Sequence, residues 1–365
     1  MNPNISTEIR ELMNVADLQP SLSIILPFET KISLKTETAH ALKVAADRAE
    51  TLLLQDYTAD QSQLVMHKLK KLINDLVIPV GKTGVAIYVS PQVARVIFLD
   101  GLTKEKIIVG DSFDIRDLVY SATKTRKYLL LLLSGKESHI YQGDSFSIIP
   151  FPSNLPESIS PYVNDAPERV ANFSDVTDRK QVIIDKFLYH IDEQLGELLE
   201  ENQLPVLVLG SEKILGHFKK LTKHAALVMD YVQGNYEEAT TTQLMELIQP
   251  NLKEWENKQQ QELLIRLDEA AGQKRLAIGI MDVWKEAANS KGQLLVVEET
   301  YQFAAQQGPS PEIIEATDES SDQFSIIRDA VGKVIEKVLE SGGDVAFVAD
   351  DNLKKYHHIA LISYY

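Results

Sequence analysis

The sequence predicts a multidomain protein of mixed α/β and α+β class. Its 365 residues exceed what one hydrophobic core ordinarily supports, so two or three domains are expected. Short β-rich runs alternate with longer segments in which apolar residues recur at helical spacing. A hydrophobic fraction of 44% and a charged fraction of 25% are those of an ordinary soluble globular protein. These observations together predict three domains that combine sheets with helices.

The first domain is predicted over residues 1–124 as an α+β unit. The run SLSIILPF is rich in β-formers and is closed by a proline, which is typical of a strand. Two stretches with apolar residues at helical spacing follow it, and further β-rich runs come after them. The predicted elements are a strand at 21–28, helices at 36–55 and 59–77, and a β-meander over 84–115 with turns at Ser90-Pro91 and Asp100-Gly101.

The second domain is predicted over residues 125–262 as a mixed-sheet α/β unit. The apolar run Tyr128–Leu133 is too short to span a membrane and fits a strand that is buried on both faces. Five prolines from residue 150 to residue 167 forbid regular strand pairing, so a long functional or disordered loop is expected over 150–176. The remaining predicted elements are strands at 139–141, 146–149 and 204–210, an amphipathic helix from about residue 175, a short basic helix after Gly210, and a further strand and helix.

The third domain is predicted over residues 263–365 as a small α/β sandwich. A long polar helix over 251–273 is expected to lead into it. Gly342-Gly343 fits the end of a helix that passes into a strand. The insert over 308–323 is acidic and rich in turn formers, which predicts a mobile loop.

Charge and cysteine content exclude several classes of function. A net charge of −16 disfavours binding to nucleic acid or to anionic membranes unless a local basic patch overrides it. The absence of cysteine excludes disulfides, thiolate chemistry and cysteine-based zinc sites. Since no apolar run could cross a bilayer and no signal segment opens the chain, a cytoplasmic protein without a membrane partner is expected.

Segments of the last two domains resemble the archaeo-eukaryotic peptide-release factor and Pelota family, and its bacterial relatives in particular. The similar segments are KYLLLLLSGKESHIYQG, PVLVLGSEKIL, VQGNYEEATTTQL, KEAANSKGQLLVV and the ending SGGDVAFVADDNLKKYHHIALISYY. The resemblance implies a middle domain like release-factor domain two and a C-terminal α/β/α sandwich like the RNA-binding protein L7Ae, after an extra N-terminal domain. Ser363 stands where the family usually has arginine.

The resemblance implies action on ribosomes or tRNA, but the tip that makes release factors hydrolytic is missing. In those factors a Gly-Gly-Gln loop positions water on the peptidyl-tRNA ester. Here the corresponding loop is rich in proline, has no glycine between Asp144 and Gly196, and lacks the tripeptide. Hydrolysis by that mechanism is therefore not expected. Phosphate loops, serine-hydrolase elbows and HExxH motifs are also absent, so neither a catalytic residue nor a cofactor is identified.

Two groups of basic residues are candidate RNA contacts. At the loop exit, Arg169, Arg179 and Lys180 could contact phosphates near a helix start, or they could be solvated charges that pair with nearby aspartates. The second group is the densest basic stretch of the chain: Lys213, His217, Lys219, Lys220, Lys223 and His224. With only Phe218 interleaved, stacking on single-stranded bases has little support, and an exposed helix face explains the stretch equally well.

Acidic and histidine residues are weaker candidates, for a metal site. Asp144, Asp165, Asp175 and Asp178 could bind Mg²⁺, but their spacing places no set of them on one face of a regular element. Helix capping explains the last two better. Adjacent residues of a strand point to opposite faces, so His357-His358, beside the terminal strand, could not easily share a metal. No metal site is therefore predicted.

The leading hypothesis is a cytoplasmic protein that binds a ribosome or tRNA in translation or ribosome rescue, with no DNA contact. Protein partners of the C-terminal domain are a further expectation. One alternative is a scaffold or regulatory protein that keeps the fold without contacting nucleic acid. Another is an enzyme that acts on a small molecule or nucleotide beneath the long loop. A continuous positive stripe from the loop exit to Lys213–Lys223 favours the first hypothesis, and interrupting carboxylates favour the scaffold.

Overall fold

The protein is described by a computed structural model that covers residues 7–13, 19–28, 35–79, 82–99, 104–124, 127–145, 147–163, 176–317 and 326–365. These residues form ten α-helices and sixteen strands in four sheets. The chain divides into an inserted unit, Arg126–Gln259, and a discontinuous unit that joins Met1–Thr125 with Gln260–Tyr365. The mixed multidomain class is confirmed, and the three-domain division stays a prediction.

The elements follow one another along the chain with short connections. The helices are α1 Thr7–Met13, α2 Lys35–Asp56, α3 Ala59–Asn74, α4 Arg116–Lys124, α5 Ser160–Val163, α6 Val176–Asn202, α7 Glu212–Leu221, α8 Thr241–Gly272, α9 Gly279–Ala288 and α10 Ala330–Glu340. The strands are β1 Ser21–Pro27, β2 Gly84–Val89, β3 Ala94–Leu99, β4 Lys106–Gly110, β5 Tyr128–Leu133, β6 Ser138–Gly143, β7 Ile148–Pro150, β8 Val206–Gly210, β9 Val228–Gln233, β10 Leu276–Ile278, β11 Gly292–Glu298, β12 Ala305–Gln307, β13 Ile314–Ala316, β14 Ile326–Ile327, β15 Asp344–Val348 and β16 Ile359–Ser363.

The inserted unit is a sheet with helices on both faces. Its strand order is β7-β6-β5-β8-β9, in which β5, β8 and β9 are parallel and are joined through the crossover helices α6 and α7. Leu129 and Leu131 pack with α6 and α7 on one face, whereas Leu130 and Leu132 pack with α8 on the other. Both faces of β5 are therefore buried, which confirms the prediction made from its uniformly apolar run.

In the N-terminal half of the discontinuous unit, the sheet has the order β3-β2-β1-β4. The predicted meander is wrong for its last strand, because β4 pairs with β1 and not with β3. Six of the seven residues of β1 are buried, so the polar backbone groups on both of its edges need partners, and β2 and β4 supply them. The predicted turn at Asp100-Gly101 lies outside the described residues.

The C-terminal half of the discontinuous unit is a sandwich around the sheet β10-β16-β11-β15. Helices α9 and α10 cover one face, and the last turns of α8 cover the other. The first face also packs against the N-terminal half, since one hydrophobic cluster contains Ile25 and Tyr88 together with Trp284 and Val334. The two halves of the discontinuous unit therefore share a core.

Two further expectations are wrong within the described residues. The helix expected from residue 251 is part of α8, which begins at Thr241 and contains Pro250. Leu244, Ile248 and Leu252 pack on the same sheet face, so burial on both sides of the proline offsets its cost to the helix. The acidic insert is not all loop, because β13 pairs with β12 and Ile314 is buried. Among the described helices, none combines the length and apolar character of a membrane span.

Candidate nucleic-acid interface

Helix α7 presents two lysines on the side opposite its buried face. The apolar side chains are buried against the sheet and α6: Ile214, Leu215 and Phe218. At about 100° per residue, Lys213 and Lys220 fall on the opposite side of the helix, and both are exposed. Gly216 lies between them, and nothing stands within 4 Å of the position that its Cβ would take. The outer face of α7 is therefore an unobstructed strip with a positive charge towards each end.

Four lysines of the predicted basic stretch are solvent-exposed, and we call them the basic strip: Lys213, Lys219, Lys220 and Lys223. In the part of the chain that the structure describes, none of them pairs with a carboxylate. Because the whole chain carries a net charge of −16, the strip is a local reversal of its electrostatic sign.

Helices α6 and α7 run side by side in the same direction. His217 Nδ1 lies 3.2 Å from Asp185 Oδ1 and 3.0 Å from Gln181 Nε2 on α6. One helical turn earlier, Lys213 is therefore level with the α6 turn that carries Lys180. This end of the helix pair is the carboxyl end of β8, since α7 starts directly after that strand. In sheets with parallel strands and helical crossovers, ligands bind at this end.

The loop-exit group is described only in part. Lys180 is exposed on α6. Arg169 lies outside the described residues, and of Arg179 only the helical backbone position is described. The candidate interface therefore consists of Lys180 and the basic strip.

A buried carboxylate fixes the turn that follows α7. Asp192 on α6 is 3% exposed and accepts hydrogen bonds from Thr222 Oγ1 at 2.5 Å and from the Lys223 amide at 3.1 Å. His224 Nε2 lies 4.0 Å from the same carboxylate. The histidines of the basic stretch therefore face α6, and the lysines remain available to a ligand.

Two lysines of the strip lie beside tyrosine rings. Lys219 Nζ is 4.3 Å from the ring centroid of Tyr231 on β9, and Lys223 Nζ is 5.8 Å from that of Tyr189 on α6. Burial raises the pKa of Tyr231 and Asp192 raises it further, so Lys219 meets a neutral ring. The sequence shows only Phe218 inside the basic stretch, and that residue is buried. The tyrosines belong to other elements, so no local sequence signal could have found them.

The aromatic side chains continue across α6. The ring of His190 stacks on Tyr162 of α5 with centroids 5.2 Å apart and an interplanar angle of 22°. It meets Tyr189 edge-on at 5.6 Å and 80°. Three rings from α5 and α6 are thus contiguous, and Lys223 lies at one end of the series.

Carboxylates interrupt the positive surface at two points. Asp185, with a side chain 46% exposed, lies on α6 one turn after the level of Lys180 and Lys213, where it contacts His217. Glu193 is 3.4 Å from His190 and is 54% exposed. No described carboxylate pairs with a lysine of the strip, whereas the path from the end of the strip to the loop exit passes a negative charge.

The acidic metal candidates do not converge in the described residues. Asp144 Oδ1 accepts hydrogen bonds from the amide and the hydroxyl of Ser147 within a tight turn, at 2.7 and 3.1 Å. Asp165 and Asp175 lie outside the described residues, as does the side chain of Asp178. Across the described ranges, no three His, Asp or Glu side chains are grouped in a way that could hold a metal ion.

His357 and His358 lie beside the terminal strand, as predicted, but neither has the extended conformation of a strand residue. Both have positive φ, 54° and 70°, and β16 begins only at Ile359. His358 Nδ1 lies 2.7 Å from Oε2 of Glu298, which is 3% exposed and whose Oε1 accepts from the Leu353 amide at 2.8 Å. A buried carboxylate requires such partners, so the left-handed turn that brings His358 to it has a structural cause.

One cleft of about 210 Å³ lies in the inserted unit. It is smaller than the several hundred Å³ usual for sites of drug-sized ligands. Its lining residues are Tyr128, Ser145, Gln249, Leu252, Lys253, Trp255 and Glu256. None of the basic strip lines it, so the cleft and the strip are separate features.

Residues 127–291 match the family model of bacterial archaeo-eukaryotic release factor family 3. This segment of the chain is release-factor-like. The matched segment contains α6, α7 and every lysine of the basic strip. The resemblance stated from the sequence is confirmed for this segment. A comparison with curated proteins gave no match.

Several solved structures are similar to the chain at low identity. The archaeal termination factor aRF1 is 13% identical, with 98% of this chain and 96% of that chain covered and a TM-score of 0.25. Archaeal Pelota, from a ribosome-bound model with ABCE1, is 14% identical over 74% and 72%, with a TM-score of 0.44. Dom34 of S. cerevisiae, a termination-like factor that interacts with Hbs1, is 14% identical over 80% and 76%, with a TM-score of 0.38. At these scores the similarities carry no functional argument.

Proposed function

We propose that the protein binds the ribosome or ribosome-bound tRNA through the basic strip, in a release- or rescue-related step of translation. The observation that carries this proposal is the position of the strip: four lysines that pair with no carboxylate among the described residues lie in the release-factor-like segment of an otherwise acidic chain. RNA phosphates are the polyanion that such a strip fits.

The protein performs this role without hydrolysing peptidyl-tRNA by the Gly-Gly-Gln mechanism. That mechanism needs a flexible glycine backbone and a glutamine amide at the loop tip, and the sequence of residues 150–176 contains neither glycine nor glutamine. The bound protein would then act without catalysis, either by holding a stalled ribosome or by recruiting a partner. We expect a peptidyl-tRNA release assay to show no hydrolysis.

The proposal is tested by sedimentation of the purified protein with bacterial ribosomes at increasing salt. The double variant K213E/K220E is expected to bind roughly tenfold or more weakly. The slope of the logarithm of its affinity against the logarithm of salt concentration should fall by about one for each lysine that contacts phosphate. Both side chains are exposed and form no ion pair with any residue that the structure describes, so the fold is expected to survive. The matched control is K43E/K71E, which makes the same charge change on exposed faces of α2 and α3.

A scaffold role is the second candidate, and one observation favours it. The exposed carboxylate of Asp185 lies on α6 after Lys180, level with the middle of α7, so a negative charge interrupts the positive surface between Lys180 and the lysines at the end of α7. In that case the wild-type protein stays in the light fraction even at low salt. Equal sedimentation of the wild type and K213E/K220E would also contradict ribosome binding through the strip.

A further inference from the structure

We propose that Tyr189 is a stacking site for an unpaired nucleobase, with Lys223 beside it to contact the adjoining phosphate. The proposal rests on the proposed RNA binding and makes its ligand more specific: single-stranded RNA, or an unpaired end or loop of a larger RNA. It divides the surface into a base-binding part on α6 and a phosphate-binding part on α7.

Tyr189 has the exposure and surroundings that stacking requires. It is 46% exposed, although it is a large aromatic side chain. Its only ring contact within the described residues is with His190, which meets it edge-on at 80°. In that part of the chain no ring therefore stacks on a face of Tyr189, although the Lys223 ammonium lies over one face. Lys223 Nζ lies 5.8 Å from the ring centroid, close enough to reach a phosphate joined to a stacked base.

The charges near Tyr189 favour a base on α6 and phosphates on α7. Asp185 and Glu193 lie one turn before and one turn after Tyr189, and both side chains are about half exposed. They repel phosphates from the exposed side of α6 but leave a neutral aromatic face that accepts a base. On α7, Lys213 and Lys220 are seven residues apart, about 10.5 Å along the axis, with the open position of Gly216 between them. A strand can therefore follow α7 with its backbone while it turns one base towards α6.

Duplex RNA does not fit this arrangement. Its bases are stacked inside the helix, so Tyr189 could reach only backbone or groove, and its phosphates would lie beside Asp185 and Glu193. The surface should therefore prefer an unpaired strand to a duplex of the same length.

The test measures binding of the full chain to a fluorescent oligoadenylate RNA of about 12 nucleotides and to an RNA duplex of about 12 base pairs, within the site sizes usual for such surfaces. The wild type is expected to bind the single strand more tightly. Y189A should weaken single-strand binding roughly fivefold to a hundredfold, the range for loss of one base stack, and should leave duplex binding unchanged. Y189F keeps the ring and should bind like the wild type. Y365A is the control for loss of an exposed tyrosine elsewhere.

Equal wild-type affinity for the two RNAs overturns the proposal, as does wild-type affinity of Y189A for the single strand. Ribosome sedimentation separates this failure from that of the proposed function. If K213E/K220E loses ribosome binding while Y189A binds the oligonucleotide normally, stacking is wrong and ribosome binding stands. If the wild type binds neither ribosomes nor RNA, both proposals fall. A Y189W variant gives a direct readout, because stacking should quench the new indole on addition of the single strand.

Discussion

At the scale of single residues, Asp192 fixes the turn that carries Lys223 of the basic strip. This carboxylate accepts hydrogen bonds from Thr222 and Lys223, which form the turn that ends α7. Because Asp192 is 3% exposed, water cannot replace it as an acceptor without opening the contact between α6 and α7. A buried acceptor of this kind holds Lys223 beside Tyr189 more effectively than a surface ion pair could.

Replacement of Asp192 by alanine is expected to destabilise the inserted unit by about 1–3 kcal/mol, since the hydroxyl of Thr222 and the amide of Lys223 lose their acceptor. The shift of the urea midpoint, followed by circular dichroism, measures this effect. The control is E193A, which removes the adjacent but exposed carboxylate and should change stability by less than about 0.5 kcal/mol. If the two variants unfold at the same urea concentration, Asp192 does not hold the turn.

At the scale of elements, the glycine inside the crossover helix α7 and the glycine that ends β8 before it have opposite environments. Gly216 faces solvent, and a Cβ there would meet nothing within 4 Å. Gly210 ends β8 just before the helix, and a Cβ there would lie 2.6 Å from the carbonyl oxygen of Leu133. The first glycine is a site of helix flexibility, whereas the second permits close approach of β5 and β8.

The same substitution at these glycines should therefore have opposite effects. G216A is expected to raise stability by up to about 1 kcal/mol, because alanine is the better helix former and no atom must move. G210A should lower stability by about 1–3 kcal/mol, because the strands must separate to admit a methyl group. Thermal denaturation of the two variants beside the wild type measures both. Changes of the same sign would contradict the described packing at one of the two positions.

At the scale of the whole molecule, the N- and C-terminal parts of the chain meet in one unit around buried charges. Arg116 Nη1 donates to Asp329 Oδ2 at 2.9 Å, and its Nη2 donates to the carbonyl of Glu299 at 3.0 Å. Ser112 Oγ donates to Glu336 Oε2 at 3.2 Å. Residues 112–117 are therefore joined to α10 and to the end of β11 by polar contacts as well as by the shared core.

This contact region should make stability depend on pH. Burial raises the pKa of Asp114 above its usual 3.8. The positive charge of Lys106 partly offsets this rise, and the negative charge of Asp117 adds to it. Burial also raises the pKa of Glu336, against a lowering by Lys333. A carboxyl with a raised folded-state pKa binds its proton more tightly in the folded than in the unfolded protein. The stability that this carboxyl contributes is therefore present below its pKa in the unfolded protein and is lost as pH rises through its pKa in the folded protein.

The double variant D114N/E336Q should lose this dependence, because both side chains then stay neutral while the amide oxygens can still accept. Asp114 Oδ1 accepts from the Arg116 amide at 3.1 Å, and asparagine keeps that oxygen. Melting temperatures measured from about pH 4 upwards should fall with pH more steeply for the wild type than for the variant. Parallel curves would show that these carboxyls do not titrate differently on folding.

The sequence could predict those features that depend on interactions between residues close together in the chain. The strand Tyr128–Leu133, the helices α2 and α3, and the basic helix α7 were predictable because each is specified by residues close together in the chain. Four candidate lysines of α7 and its following turn were found for the same reason. The release-factor resemblance also depended on contiguous segments, and residues 127–291 carry the family match.

Tertiary structure alone decided the features that depend on distant partners. It placed β4 beside β1, because a strand buried on both faces must satisfy backbone groups on two edges. It kept Pro250 inside α8, because packing on the sheet exceeds a local preference for a break. It brought Tyr189 to Lys223 and buried Asp192 beneath the same turn, although 31 residues separate Asp192 from Lys223. Contacts across such separations depend on which surfaces are buried together, and that is a property of the folded chain rather than of any local pattern.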